Sequence, residues 1–247
     1  MDDSDVDLER EWKLRAAVVP AALVVALAFH AWSFGHYLQR TFLTMMVHEL
    51  GHALTGWFCG FAAIPTLWKT LIPAARGTLA PIALATAEAA ICYLGNKFER
   101  RWLLALGIAL ALLQLIGTFG LTEPQAQTAI IFGGDGGAMV LGALLMASFF
   151  VPRFRRGGLR WGFVAIGAAA YVDTFATWWS ARSDTDVIPF GEIEGVGLSD
   201  PSKLTDVYGW SVHRMVERYV ALGVGCLVVL AAVTAWATWT TRRTARA

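Results

Sequence analysis

The sequence predicts an all-α, polytopic transmembrane helix bundle. Three observations predict it. Hydrophobic residues make up 56% of the 247 residues, charged residues only 16%, and mean hydropathy is +0.53. A water-facing domain carries roughly a quarter of its residues charged. The apolar residues are gathered into runs of about 20, the length that spans the hydrocarbon core. The joints between runs are short and polar or proline-bearing, as antiparallel neighbours in one compact bundle require. The same composition excludes a disordered chain. A formal net charge of +1 excludes the basic stripe that nucleic acid needs.

Taken in order, a polar N-terminal segment (1–15) precedes seven candidate spans: 16–34, 41–60, 78–94, 102–121, 128–151, 159–179 and 219–239. The first is long, lacks a small-residue cleavage site and follows an acidic leader, so it reads as a span rather than a cleaved signal. Polar joints at 35–40, 96–101, 123–124 and 152–160 separate the helices. Segment 61–77, interrupted by Pro65, Lys69 and Pro73, is a candidate re-entrant stretch, so the count is six or seven. The loop 180–206, with Asp184, Asp186, Glu192, Glu194, Asp200 and Asp206, is expected to form a cap or flexible rim, and 240–247 a basic tail. The whole chain, 1–247, reads as a single integral membrane domain.

Cytoplasmic loops carry an excess of Lys and Arg. Lys97, Arg100 and Arg101 fall in one joint, Arg153, Arg155, Arg156 and Arg160 in another, and Arg242, Arg243 and Arg246 in the tail. Seven spans put all three on one side, assigned to the cytoplasm, with the acidic loop and the N-terminus outside. The expectation is a multi-pass protein of the cytoplasmic or plasma membrane. Cys59, Cys92 and Cys226 lie in apolar runs and read as small buried hydrophobes. Trp12, Trp102, Trp161, Trp178, Trp179 and Trp239 read as interface anchors.

Ionisable groups inside a span are costly and mark function. The polar residues within the candidate spans are His30, His48, Glu49, His52, Glu88, Gln114, Asp135 and Asp173. Three of them make the string His48-Glu49-Leu50-Gly51-His52. Positions four apart share a helix face, so both imidazoles can reach one ion. Zinc takes neutral histidine nitrogen, and a catalytic site has three protein ligands plus water. Glu49 stands where a carboxylate can take a proton from that water. Thr41, Thr44, His48, Gly51 or His52, and Thr55 continue one polar stripe along the helix. Phe42, Met46, Leu50, Leu54 and Trp57 form its apolar back.

A third ligand must come from elsewhere: Asp135, Asp173 and Glu88 are candidates, with His30 and His213 further back. Asp135 sits among Gly133, Gly134, Gly136 and Gly137, which permit close approach of another helix, and its depth in its span matches that of the histidines. It is the preferred ligand. Asp173 reads as a solvated residue near a helix end, with a hydrogen-bonding partner of a histidine as the alternative, Glu88 and His30 as interhelical hydrogen-bonding residues, and His213 as interfacial.

At these residues the chain resembles the site-2 protease family of intramembrane zinc metalloproteases. The resemblance implies a site-2 protease-like core with one Zn2+ per chain. It makes His48 and His52 zinc ligands and Glu49 the general base. Asp135, followed by Gly136, becomes the third ligand through the family's Asp-Gly motif on a later helix. Gly134 stands where the family usually has leucine. Asn96, the only asparagine, lies far from the motif, unlike the asparagine that often precedes it in the family. The implied activity is hydrolysis of peptide bonds in or near the transmembrane segments of membrane-protein substrates within the lipid bilayer. The rival readings are a membrane metal-binding or transport protein, and a catalytically silent relative with a regulatory role.

Overall fold

A computed structural model describes residues 3–155, 158–193 and 197–244 of the chain. Arg156, Glu194 and Arg246, used above in the charge pattern, lie outside the described residues. The fold is all-α, and 81% of the described residues are helical. In order it forms α1 (Asp3–Ala31), α2 (Ser33–Gln39), a π-helical turn (Arg40–Thr44) and α3 (Met45–Phe58). The strands β1 (Ile64–Pro65) and β2 (Thr70–Leu71) follow. Next come α4 (Leu79–Lys97), α5 (Arg101–Leu115), α6 (Glu123–Ala147) and α7 (Leu159–Ser180). The chain continues through β3 (Glu192–Ile193), β4 (Gly197–Leu198), α8 (Asp200–Ser202) and α9 (Val212–Thr244).

Among the described residues, five helical segments are long and apolar enough to cross a membrane: Glu9–Ala31, Leu79–Lys97, Arg101–Gly120, Glu123–Phe150 and Val212–Thr244. The expected spans 41–60 and 159–179 are helical but do not join those five. The helix through α3 carries His48, Glu49 and His52 among its apolar residues, and α7 mixes its aliphatic residues with glycine, alanine, tryptophan and a buried aspartate. Burial departs from that of a water-soluble protein. Glu49, His52, Glu88, Gln114 and Asp173 are inside, while Leu79 and Phe119, each about four-fifths exposed, are among many large apolar residues on the surface. Lipid is the solvent that tolerates both halves of that pattern.

One joint differs from the sequence expectation. Residues 35–40 are helical, and the chain turns earlier, at Trp32, whose backbone is extended (φ −103°, ψ 119°). Gly35 permits this corner, because a Cβ there would collide with the Phe29 carbonyl and the Trp32 ring. Segment 61–77 contains a small antiparallel hairpin in which Ile64 pairs with Leu71 and Pro65 with Thr70.

The chain divides into two compact units. One comprises Met1–Val47, Ala138–Pro189 and Ser211–Ala247. Here α1 packs on α7 and α9. Gly142 and Gly167 bring α6 against α7, since a Cβ on either would strike the other's carbonyl. Tyr171 donates its hydroxyl to the Gly223 carbonyl at 2.7 Å. Trp178, expected at an interface, is instead buried and stacked on Tyr219 at 4.1 Å. A flat indole fills this helix contact better than it would anchor at the membrane surface.

The other unit comprises His48–Gly137 and Phe190–Trp210. α4 and α5 form a tight helical hairpin, in which Gly95 lies against the Leu104 backbone and Gly107 against Cys92. Gln114 ties them by donating to the Pro81 carbonyl at 2.7 Å. Cys59, Phe61, Ala126 and Ile130 make its apolar core. Glu88 is buried, and its Oε1 has no hydrogen-bond partner, so the expected interhelical hydrogen bond is absent at that oxygen. All three cysteines are free thiols.

Candidate metal centre

The centre lies within the second unit and is built on α3 and α6. α3 ends at Phe58, and two residues on Gly60, with φ of 87°, is in the left-handed region that only glycine enters cheaply. The chain then returns through β1 and β2 toward the buried face of α3. Along that face, Gly51 meets α6 backbone to backbone. A Cβ on Gly51 would run into the Gly133 carbonyl and the Cα of Gly137. A Cβ on Gly134 would occupy the space beside the rings of His48 and His52. The glycines around Asp135 therefore let α6 approach the histidine pair closely enough to supply hydrogen-bond acceptors.

Both imidazoles are oriented by α6. His52 donates from Nδ1 to the Ile130 carbonyl at 2.7 Å. A carbonyl only accepts, so this bond leaves the Nε2 lone pair of neutral His52 free. His48 Nδ1 lies 2.9 Å from Asp135 Oδ1, which orients it in the same way. The two Nε2 atoms then face each other at 3.1 Å.

A third donor atom completes the group. Asp200 Oδ2 lies 2.9 Å from His52 Nε2 and 3.3 Å from His48 Nε2. Asp200 opens α8, where Ser199 accepts from the Ser202 N–H as N-cap and Pro201 occupies the first turn. Gly191 N–H donates to Ser202 Oγ, and Trp210 packs its ring 5.8 Å from Phe132 of α6, fixing the segment. A π-helical turn, Lys203–Val207, follows directly.

With Asp135 and Ile130 taking the Nδ1 protons, three acceptor atoms sit within 3.3 Å of one another. Three facing lone pairs repel unless a cation or a proton lies between them. Tetrahedral coordination at about 2.0–2.1 Å places neighbouring ligand atoms about 3.3–3.4 Å apart, so a metal ion fits with little adjustment. His48, His52 and Asp200 are a group that could hold a metal ion.

Glu49 is buried, and its Oε2 accepts from the Thr70 hydroxyl of β2 at 2.7 Å; that hydroxyl also lies 2.8 Å from the Glu49 carbonyl. The short hairpin thus holds the carboxylate.

The structure brings His48, His52 and Asp135 together, with Asp135 on the outer nitrogen of His48, while Glu49 follows His48 on α3 with its carboxylate held by Thr70. Glu88, on α4, is not part of this group. Asp173 is fully buried beside His30, His36 and Arg40, which replaces the expectation that it is solvated. His213 is exposed and pairs with Glu217 at 3.0 Å. Asp200 and Thr70 were missed. The one local signal for Asp200 was Ser199-Asp200-Pro201, a helix-start pattern inside a segment read as rim. Nothing in the sequence singled out Thr70. No family model, curated protein or solved structure matches this chain.

Proposed function

We propose that the chain is a zinc-dependent intramembrane endopeptidase of the site-2 protease type. The observation that carries this reading is the convergence of His48 Nε2, His52 Nε2 and Asp200 Oδ2 beside a carboxylate, Glu49, held by its own hydrogen bond. In this reading His48, His52 and Asp200 hold the ion. Asp135 and the Ile130 carbonyl take the outer-nitrogen protons, the arrangement that fixes tautomer and raises ligand basicity. Zinc, when bound, supplies a Lewis acid for the scissile carbonyl and brings the pKa of a water down toward neutrality.

The remaining work falls to the chain. Thr70 occupies Glu49 Oε2, leaving Oε1 to take the proton from the attacking water and return it to the leaving amine. Surrounding apolar helices exclude bulk water, which strengthens each of these interactions. The substrate is a transmembrane segment of another protein. An intact helix hides its carbonyls in hydrogen bonds, so helix-breaking residues near the cut are expected.

Glu49→Gln is the test. Cleavage of a membrane-embedded reporter segment should be lost while the zinc content of the purified protein stays at the wild-type level. Unchanged cleavage in Glu49→Gln would refute the peptidase reading.

A further inference from the structure

A second group of metal-ligating side chains lies in the first unit, distinct from the candidate centre. His30 closes α1, His36 lies in α2, and Asp173 lies in α7. Asp173 Oδ1 is 2.7 Å from His36 Nε2 and 3.4 Å from His30 Nδ1. The two imidazole rings are 4.4 Å apart, centre to centre. The corner at Trp32 makes this possible, because it folds α2 back on the end of α1 and sets two histidines six positions apart side by side.

The contacts are close, yet they are not hydrogen bonds. His30 Nδ1, His36 Nε2 and Asp173 Oδ1 are all buried atoms, and none has a hydrogen-bond partner. A buried polar atom left without one is destabilising, more so when it is charged. Three such atoms within 4.8 Å of one another share a single remedy. Arg40 explains why the carboxylate presents one oxygen only, since its Nη1 holds Asp173 Oδ2 at 3.0 Å. That leaves Oδ1 for the shared point.

We propose that His30, His36 and Asp173 form a second site, for a divalent first-row transition-metal ion. Two imidazoles and one carboxylate suit zinc or iron(II) and leave coordination positions open. Calcium and magnesium are disfavoured, because both prefer oxygen donors. The His36 side chain is 38% exposed, so water or a small anion can complete the shell from that side. The ion would pin the α1–α2 corner to α7. Arg40 places a fixed positive charge behind the carboxylate, so the ion is held less tightly here than at a site flanked by acids.

The inference does not depend on the peptidase reading. The test is metal analysis of the full chain in lipid nanodiscs after loading with Zn2+ and, separately, Co2+, comparing wild type, His36→Ala and His48→Ala. Wild type should hold two ions and each variant one, with the ion missing from His36→Ala being the first that a chelator removes from wild type. His36 lies at the rim, so its replacement spares the packing; Asp173→Asn serves as a second variant wherever it folds. A one-ion difference between wild type and His36→Ala supports the site whatever His48→Ala does. Equal metal content in wild type and His36→Ala overturns it.

Discussion

Replacing Asp200 with alanine separates two ways of completing the zinc shell. Asp200 Oδ2 touches both Nε2 atoms, at 2.9 and 3.3 Å, whereas Asp135 Oδ1 meets His48 at its outer nitrogen, Nδ1, at 2.9 Å. A complete four-ligand zinc site is worth about 10–16 kcal/mol, or about 3–4 kcal/mol per ligand. Asp200→Ala should therefore weaken zinc binding by roughly a hundred- to a thousand-fold. Asp135→Ala removes an orienting partner instead, an effect of about 10–100-fold. Asp135→Asn keeps an oxygen that accepts from Nδ1 and should fall at the mild end. Competition of the nanodisc-embedded protein against a chromophoric chelator measures all three. If Asp135→Ala is the more damaging change, or Asp200→Ala binds zinc like wild type, the assignment of Asp200 as ligand is wrong.

Thr70→Val should lower cleavage by about 10–100-fold through loss of a hydrogen bond to a carboxylate. Zinc content should be unchanged and Thr70→Ser should restore activity; a parallel loss of zinc would mean that Thr70 only supports the fold. For topology, a reporter active only in the cytoplasm should work when fused at the C-terminus and fail within 180–206. The reverse pattern would invert the orientation.

How much of this was legible depended on how local each signal was. His48 and His52 are one helical turn apart, so their convergence follows from helix geometry, and the 3.1 Å between their Nε2 atoms expresses it. Asp135 was legible as a partner because four glycines announce a close helix contact. Which ring nitrogen it would reach depends on the rotation of α6 about its axis, which periodicity does not specify. Asp200 reaches the centre from a three-residue helix about 150 positions downstream, through tertiary packing of Ser199, Leu204 and Trp210. No apolar period marks such a segment. The Trp32 corner was placed a few residues late, because the polar residues of 35–40 look like a joint although they continue as helix. That shift concealed the meeting of His30 with His36.

The contact between Gly51 and the backbone at Gly133 and Gly137 has a mechanical consequence. Most helix pairs rest on side chains that can change rotamer, and their separation yields a little to lateral pressure. Here two main chains touch, and main chains do not compress. The seam works as a hard stop, so changes in bilayer thickness or fluidity are taken up by sliding or tilting elsewhere. The spacing of His48 and His52 against Asp135 and Ile130 is thereby insulated from the lipid. Swapping the lipid for one of shorter acyl chains should alter how fast a substrate segment enters, and leave zinc affinity where it was.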